Sequence, residues 1–238
     1  MLADARRAPM RAGRGARPGL GSAAVKRVHF FYDFSCPYAY LAHTQIEALC
    51  ARAGAELVWR PFLLGGVFKA LGVPPVPFEA MPAAKARHNA LDMTRWAEHW
   101  GVPLRMPPSH PNRTVLALRA ALASGDLPRA SKALYAAYWV DARDVSRPEV
   151  VREALDAAGL DGAALVEHAE DPAMKDELRR RTDEAIAAGV FGAPAFVVTA
   201  PGVSGELFWG QDRMHFVEKA LGGWTPPDAR ELIARVTP

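Results

Sequence analysis

The sequence predicts an α/β fold in which a long helical segment separates two groups of strands. Two short apolar runs, at residues 28–34 and 56–62, flank a segment with helical periodicity near the start of the chain. Only helical patterns follow between about residues 79 and 189, and the chain then returns to strands before a last long helix. The predicted order is therefore β-α-β, a helical insertion, and β-β-α.

The first strands surround a strand-helix junction. Val28–Phe34 is apolar and aromatic and is followed by the triplet Ser-Cys-Pro, which indicates a buried strand. Pro37 suits the first turn of a helix, where its missing N–H costs nothing. Apolar residues at helical spacing extend this helix to about Arg52, and Gly54 ends it. Glu56–Phe62 predicts a second strand.

The middle of the chain predicts one helix after another. Periodic apolar positions indicate helices at 85–100, 114–123, 131–140, 148–158 and 171–189. Ser146 precedes the fourth of these and Glu149 follows three residues later, which is the pattern of a capping box. We expect the apolar stripes to face a core, and none of them contains a cofactor motif.

The C-terminal part predicts a hairpin followed by helices. The run GVFGAPAFVV, residues 189–198, places a proline at the start of an apolar strand, and GELFWG, residues 205–210, is a second short strand. Helical segments are predicted at 211–221 and 228–236.

These elements divide the chain into three parts. The strand-helix start and the hairpin-helix finish, residues 26–76 and 190–238, together predict a thioredoxin-like domain. An all-helical domain is inserted at residues 77–189. Residues 1–25 form a basic leader that we expect to be disordered and outside the fold.

The net positive charge of the chain comes from its first 27 residues. The net charge of the 238 residues is +3, but residues 1–27 hold seven basic side chains against one acid, so the remainder carries −3. This segment lacks the apolar core of a secretory signal. The basic segment is explained by a disordered leader or by translation that starts at Met10. A transit peptide and a nucleic-acid-binding arm are the alternatives. For the folded part we expect neither a nucleic-acid partner nor a membrane span, because no apolar run reaches about 18 residues.

The chain has two cysteines, which is too few for a disulfide framework. Cys50 lies on the apolar stripe of the first helix, far along it from Cys36, so a bond between the two is not expected. The composition therefore indicates a reduced, cytoplasmic protein.

Cys36 stands where the first strand gives way to the first helix. Unpaired amides and the positive end of the helix dipole favour a sulfur anion there, which predicts a lowered thiol pKa. The alternative is a buried, inert cysteine. Pro194, at the mouth of a strand, predicts a cis bond after Ala193. In thioredoxin-like folds such a cis-proline faces the active cysteine, so likeness to that fold implies that Pro194 faces Cys36.

The last long helix opens with Gly210-Gln211-Asp212. Its first amides and the Asp212 carboxylate would form a seat for a small charged peptide. The alternative is that Asp212 is an ordinary first-turn helix residue.

Five segments together resemble the 2-hydroxychromene-2-carboxylate isomerase family: DFSCPYAYLA, RPFLLGGVFKALG, KARHNALDMTRWAEHWGVPLRMP, VFGAPAFVV and FWGQDRMHFVEKAL. That family is close to the kappa-class glutathione transferases and more distantly similar to DsbA-like oxidoreductases. The resemblance spans about residues 26–222. It implies a thioredoxin-like domain with a helical insertion, a bound glutathione, isomerisation of an intermediate of aromatic catabolism, and a homodimer.

The resemblance also implies roles for particular residues. Ala193 and Pro194 would contact the cysteinyl part of glutathione, and Gly210, Gln211 and Asp212 would hold its γ-glutamyl end. Lys69 and His110 would contact the small-molecule substrate, although a solvated lysine and a surface histidine are the alternatives. No metal is expected.

Two positions depart from the family pattern. The family's catalytic serine stands immediately before the proline, and here that position is Cys36, with Ser35 one residue earlier. A thiol donates a weaker hydrogen bond than a hydroxyl and can also form a mixed disulfide. Val73 replaces a family asparagine, which puts one polar contact in doubt.

The leading hypothesis is a glutathione-dependent cis–trans isomerase. The alternatives are a kappa-type glutathione transferase, a monothiol thiol–disulfide oxidoreductase, and a non-catalytic module that binds thiol peptides. Ala39 occupies the place of a resolving cysteine, so a dithiol cycle is disfavoured.

Overall fold

The computed structural model describes residues 25–74 and 81–236. A four-stranded sheet has the order β2-β1-β3-β4, in which β1 and β2 are parallel and the other pairs are antiparallel. The strands are β1 (Arg27–Tyr32), β2 (Glu56–Pro61), β3 (Ala195–Ala200) and β4 (Val203–Trp209).

Aromatic residues hold the centre of the sheet in register. Phe30 on β1 lies opposite Trp59 on β2 and Phe196 on β3. The Phe30 ring lies 5.6 Å from the Trp59 ring and 5.5 Å from the Phe196 ring, centroid to centroid. Such cross-strand aromatic pairs stabilise one register over its neighbours, because a one-residue slip would move every ring to the other face.

Ten α-helices lie in the described ranges, together with a π-helical turn at Ala136–Val140 and a 3₁₀ turn at Gln211–Arg213. The helices are α1 (Pro37–Ala53), α2 (Leu64–Ala70), α3 (Ala83–Trp100), α4 (Val115–Ala123), α5 (Leu127–Tyr135), α6 (Pro148–Ala157), α7 (Gly162–His168), α8 (Pro172–Ala187), α9 (Met214–Leu221) and α10 (Arg230–Val236).

Helices cover both faces of the sheet. On one face α1 packs against α9, and both contact strands. On the other face α2 and α8 pack against each other around a smaller apolar cluster that includes Phe31, Phe62 and Val190. Helices α3 to α7 extend from this sandwich and share its larger core.

The predicted thioredoxin-like order is confirmed, with two helices added. The sequence did not predict α2 or α7, and it extended the first strand to Phe34, two residues beyond its end. Most of the predicted leader, residues 1–24, and the predicted domain boundary after residue 76 lie outside the described residues.

The predicted capping box at α6 is wrong. Arg147 is the N-cap residue, and its side chain makes no capping bond. The Ser146 hydroxyl donates instead to Asp144 Oδ1 at 2.6 Å, and Glu149 pairs with Arg147. A local Asp-to-Ser turn therefore takes the serine that would have capped the helix.

Candidate active site

Cys36 is the N-cap residue of α1, and its thiol faces the loop before β3. Its backbone is extended, with φ −91° and ψ 115°, and Pro37 occupies the first helical position, as predicted. The sulfur lies 3.1 Å from the carbonyl oxygen of Ala193, to which the thiol donates. The Ala193–Pro194 peptide bond is cis. The structure therefore brings Cys36, Ala193 and Pro194 together.

The expected lowering of the Cys36 thiol pKa is not observed. Burial raises that pKa to about 12, because the side chain is only 9% exposed and a thiolate would lose its hydration. The amides of Tyr38 and Ala39 act in the opposite direction, as predicted for a helix start, and the nearby Asp33 raises the pKa further. Burial outweighs the helix N-terminus, so Cys36 is a neutral thiol and a hydrogen-bond donor.

Asp33, which was not among the predicted site residues, organises the loop under Cys36. The carboxylate is 1% exposed and accepts four hydrogen bonds. They come from the amide and hydroxyl of Ser35, the amide of Leu64 at 2.8 Å and the hydroxyl of Thr114 at 2.7 Å. Burial raises the pKa of Asp33, and these donors oppose that shift. An acid directly after an apolar strand was the available signal.

Gly210 links the proline loop to the start of the last long helix. Its amide donates to the carbonyl oxygen of Pro194 at 2.9 Å. Gly210 has φ +102°, and a Cβ there would lie 2.5 Å from Asp212 Oδ1. Glycine therefore lets the Asp212 carboxylate fold back over the backbone, where it also pairs with Arg213. This places Gly210 and Asp212 beside Pro194.

Gln211 is 5% exposed and lies on the inner side of this turn. Its side chain and Asp212 line a cavity of about 230 Å³ between α1, α3 and α9. Trp96 and Trp100 of α3, whose ring centroids lie 4.9 Å apart, form one wall of the cavity.

Tyr38 connects Cys36 to the helical insertion. Its hydroxyl donates to Asp92 Oδ2 on α3 at 3.4 Å. Burial raises the pKa of Tyr38 to about 12, with further contributions from Asp92, Cys36 and Asp212. The charges of Asp92 on α3 and of Asp212 in the turn before α9 therefore act on Tyr38, which lies two residues after Cys36.

Neither predicted substrate residue contacts Cys36. Lys69 is exposed on α2 and makes no ion pair with any residue of the described ranges. His110 bonds through Nδ1 to the hydroxyl of Tyr138 at 2.9 Å, and its ring packs on Trp139 with centroids 5.3 Å apart. Trp139 Nε1 donates to the carbonyl oxygen of Phe34 at 2.8 Å, so His110 adjoins the Cys36 loop through one side chain.

Comparison with known proteins identifies the family. A family model for the DSBA-like thioredoxin domain matches residues 27–222. The chain belongs to this family. Within the part that the structure describes, no helix is both long and apolar enough to cross a membrane, and no group of three or more His, Cys, Asp or Glu side chains could hold a metal ion.

Relatives within the family agree with the resemblance drawn from the sequence. A 2-hydroxychromene-2-carboxylate isomerase from Sphingobium xenophagum is 32% identical over 204 residues, which span 83% of this chain and 98% of the relative. Glutathione S-transferase kappa 1 from Caenorhabditis elegans is 27% identical, over 83% of this chain and 91% of the relative. A solved 2-hydroxychromene-2-carboxylate isomerase has the same fold, with a TM-score of 0.69 at 23% identity, covering 88% of this chain and 97% of that one.

The family membership is therefore confirmed, and it supports a glutathione-related enzymatic function. The relatives named above are isomerases and a glutathione transferase.

Proposed function

We propose that the chain is a glutathione-dependent cis–trans isomerase that acts on 2-hydroxychromene-2-carboxylate or a similar unsaturated aromatic acid. The observation that carries the proposal is the hydrogen bond from the Cys36 thiol to the carbonyl oxygen of Ala193. It supports a cysteine that acts as a neutral donor, as a serine hydroxyl would, and not as an attacking thiolate.

The surroundings of Cys36 fit glutathione. When the Cys36 thiol turns to another acceptor, the carbonyl of Ala193 can receive a peptide N–H. The amides of Gln211 and Asp212 lie at the start of the turn before α9 and make no hydrogen bond to other described residues. They can therefore donate hydrogen bonds to the γ-glutamyl carboxylate. The Asp212 carboxylate can pair with the γ-glutamyl ammonium group.

Bound glutathione would supply a thiolate that adds to a carbon–carbon double bond and leaves after rotation. The thiol of Cys36 would donate a hydrogen bond to that sulfur, and the amides of Tyr38 and Ala39 would stabilise its charge. Lys69 and His110 would bind carboxylate or carbonyl oxygens of the substrate. The predicted homodimer and cytoplasmic location stay predictions.

A kappa-type transferase is the second candidate, and the kappa-class relative at 27% identity favours it. It would use the same residues to hold glutathione but would release the conjugate. A monothiol oxidoreductase is less well supported, because attack on a disulfide needs a thiolate and burial raises the Cys36 pKa to about 12.

The test is the conversion of 2-hydroxychromene-2-carboxylate to its open-chain benzylidenepyruvate isomer, followed by absorbance with and without glutathione. We expect turnover that requires glutathione and that falls strongly in Gly210→Val, whose side chain would displace Asp212. Gly54→Ala, at the other end of α1, is the matched glycine control. Turnover that is the same without glutathione would contradict the proposal.

A further inference from the structure

The cavity between α1, α3 and α9 extends well beyond the surroundings of Cys36. Its volume is about 230 Å³, and α1 lines it with Gln45, Leu49 and Arg52, which share one face of that helix. Gln45 and Arg52 stand nine and sixteen residues after Cys36, which corresponds to about 13 and 24 Å along a helix. A ligand against this part of α1 would therefore lie away from the reacting atoms at the thiol.

Gln211 brings an unpaired amide group to this cavity. The residue lines the cavity and is only 5% exposed, yet its carboxamide makes no hydrogen bond within the described ranges. Most buried polar side chains in folded proteins are paired, because a buried donor or acceptor without a partner costs stability. The proposed glutathione site uses only the backbone amide of Gln211, so the carboxamide is available to a second ligand.

The wall on α3 suits a flat ring. Trp96 and Trp100 are half-buried, both line the cavity, and their ring centroids lie 4.9 Å apart. Leu49 and Met214, which are almost fully buried, add apolar surface. Flat aromatic groups stack favourably on indole rings. The cavity therefore offers an aromatic wall with one buried amide group beside it.

The acidic side chains of the cavity already have basic partners. Glu218 pairs with Arg52 at 3.4 Å, and Asp212 pairs with Arg213. Because these charges are paired, they do not favour a charged ligand over a neutral one. Recognition then depends on the carboxamide of Gln211, which presents a donor and an acceptor side by side. Glutamine makes paired bonds of this kind with the edges of nucleobases.

We propose that this cavity binds a neutral planar ligand, whose ring stacks on Trp96 or Trp100 and whose amide edge bonds to the carboxamide of Gln211. Aromatic carboxamides and nucleobases with a lactam edge share this chemistry. The site is separate from the thiol and takes no part in the isomerase reaction proposed for Cys36. Its test is therefore independent of that reaction.

The test is nuclear magnetic resonance of the ¹⁵N-labelled tryptophan indoles, recorded without glutathione. The chain has six tryptophans, and Trp96→Phe and Trp100→Phe identify the two signals by their loss. With benzamide or uracil as the probe, we expect saturable shifts of these signals and a dissociation constant of about 1 mM or lower. The signal of Trp59, which is 6% exposed in the sheet, should not shift. The tighter probe distinguishes an aromatic carboxamide from a nucleobase.

Acetophenone is the matched control ligand, because it keeps the ring and carbonyl of benzamide but has a methyl group in place of the amide nitrogen. We expect it to bind the wild type about tenfold more weakly than benzamide, since one hydrogen bond to Gln211 is lost. In Gln211→Leu the two ligands should bind alike.

Three results would overturn the proposal. Equal affinities of benzamide and acetophenone for the wild type would show that no amide group is recognised, even if Gln211→Leu does not fold. A preference for benzamide that persists in Gln211→Leu would show that Gln211 is not the recognising residue. No saturable shift with either probe would show that the carboxamide bonds only to water.

Discussion

Cys36 shows how two effects of one position compete. The start of α1 offers amides that favour an anion, and burial under the loop of Ala193 disfavours it. Burial dominates, so the residue keeps its proton. A neutral thiol donates a hydrogen bond as a serine hydroxyl does. In this property Cys36 is closer to the serine of the family pattern than to a reactive cysteine exposed to water.

Substitutions of Cys36 distinguish its role as a hydrogen-bond donor from a role as a nucleophile. We expect Cys36→Ser to keep or increase glutathione-dependent turnover, because a hydroxyl is the stronger donor. Cys36→Ala should lower kcat by about tenfold to a hundredfold, the effect of losing one hydrogen bond to a charged group. Cys50→Ala, which removes the other buried thiol, should leave kcat unchanged. Loss of activity in Cys36→Ser would contradict the donor role.

His43 is a second residue whose chemistry is set by burial. Both of its ring nitrogens are buried and have no hydrogen-bond partner among the described residues, and the ring lies among those of Tyr40, Trp59 and Tyr135. Burial, with a smaller contribution from Lys132, lowers its pKa to about 4. Between that value and 6.5 the unfolded chain binds a proton that the folded protein does not, so stability falls as the pH falls.

We therefore expect His43→Phe to reduce acid sensitivity. Between pH 7 and pH 4.5 the wild type should lose about 2 kcal/mol of unfolding free energy through His43, and the variant should not show this loss. Urea unfolding at the two pH values measures the difference. An equal loss in both proteins would show that His43 is protonated in the folded state.

Among the elements, the junction of β1, α2 and α4 depends on Asp33. Its carboxylate accepts bonds from the first residue of α2 and from Thr114, which precedes α4. Asp33→Ala would leave these buried donors unpaired, and we expect it to lower the free energy of unfolding by about 2–4 kcal/mol. Asp144→Ala is the control, because Asp144 makes the same local turn with Ser146, and within the described ranges its carboxylate accepts no hydrogen bond from another helix. Equal losses would contradict the linking role of Asp33.

The charge of Asp33 gives its own pH dependence. Because its pKa is raised in the folded protein, the folded state holds this proton at pH values where the unfolded chain has released it. Its contribution to stability is therefore lost as the pH rises above about 4. Asp33→Asn should remove that part of the pH dependence in the same urea series, and an unchanged slope would contradict the raised pKa.

Helices were predictable where apolar residues recur at helical spacing over several turns, as in α1, α3 and α8. Helix α2 was missed because Gly65 and Gly66 look like a turn in sequence. In the structure a Cβ at residue 66 would lie 2.9 Å from Thr182 Cγ2, so glycine lets α2 approach α8 closely. The π-helical turn was missed because a run of apolar residues fits a regular helix equally well.

Across the whole molecule, the helical insertion and the sheet share one core. Three aromatic residues from the start of the fold pack against Tyr135: Tyr32 of β1, Phe34 of the following loop, and Tyr40 of α1, which also stacks on Trp139. The predicted boundaries after residues 76 and 189 therefore separate segments of the sequence whose side chains pack together in one core.

A shared core predicts cooperative unfolding. We expect tryptophan fluorescence and far-ultraviolet circular dichroism to give a single coincident transition in urea, since neither part keeps a complete core without the other. Two separate transitions would show that the insertion is an independent domain.

The candidate site was partly predictable from sequence. Strand-helix junctions and prolines at strand entries have local signatures, and these located Cys36, Ala193 and Pro194. Asp33 and Tyr138 bond to partners distant in sequence, 81 residues away for Asp33 and 26 and 28 for Tyr138. A local pattern could mark Asp33 as a candidate, but it could not show what either residue binds. The pKa of Cys36 depends on burial, which only the packed fold determines.

The most direct test of the account is mass spectrometry of one reaction mixture that contains the protein, glutathione and an excess of 2-hydroxychromene-2-carboxylate. The account predicts many turnovers per glutathione, a product with the mass of the substrate, glutathione recovered unchanged, and no adduct on Cys36. A substrate–glutathione conjugate that grows with time, or a glutathione mixed disulfide on Cys36 that accumulates with turnover, would contradict it.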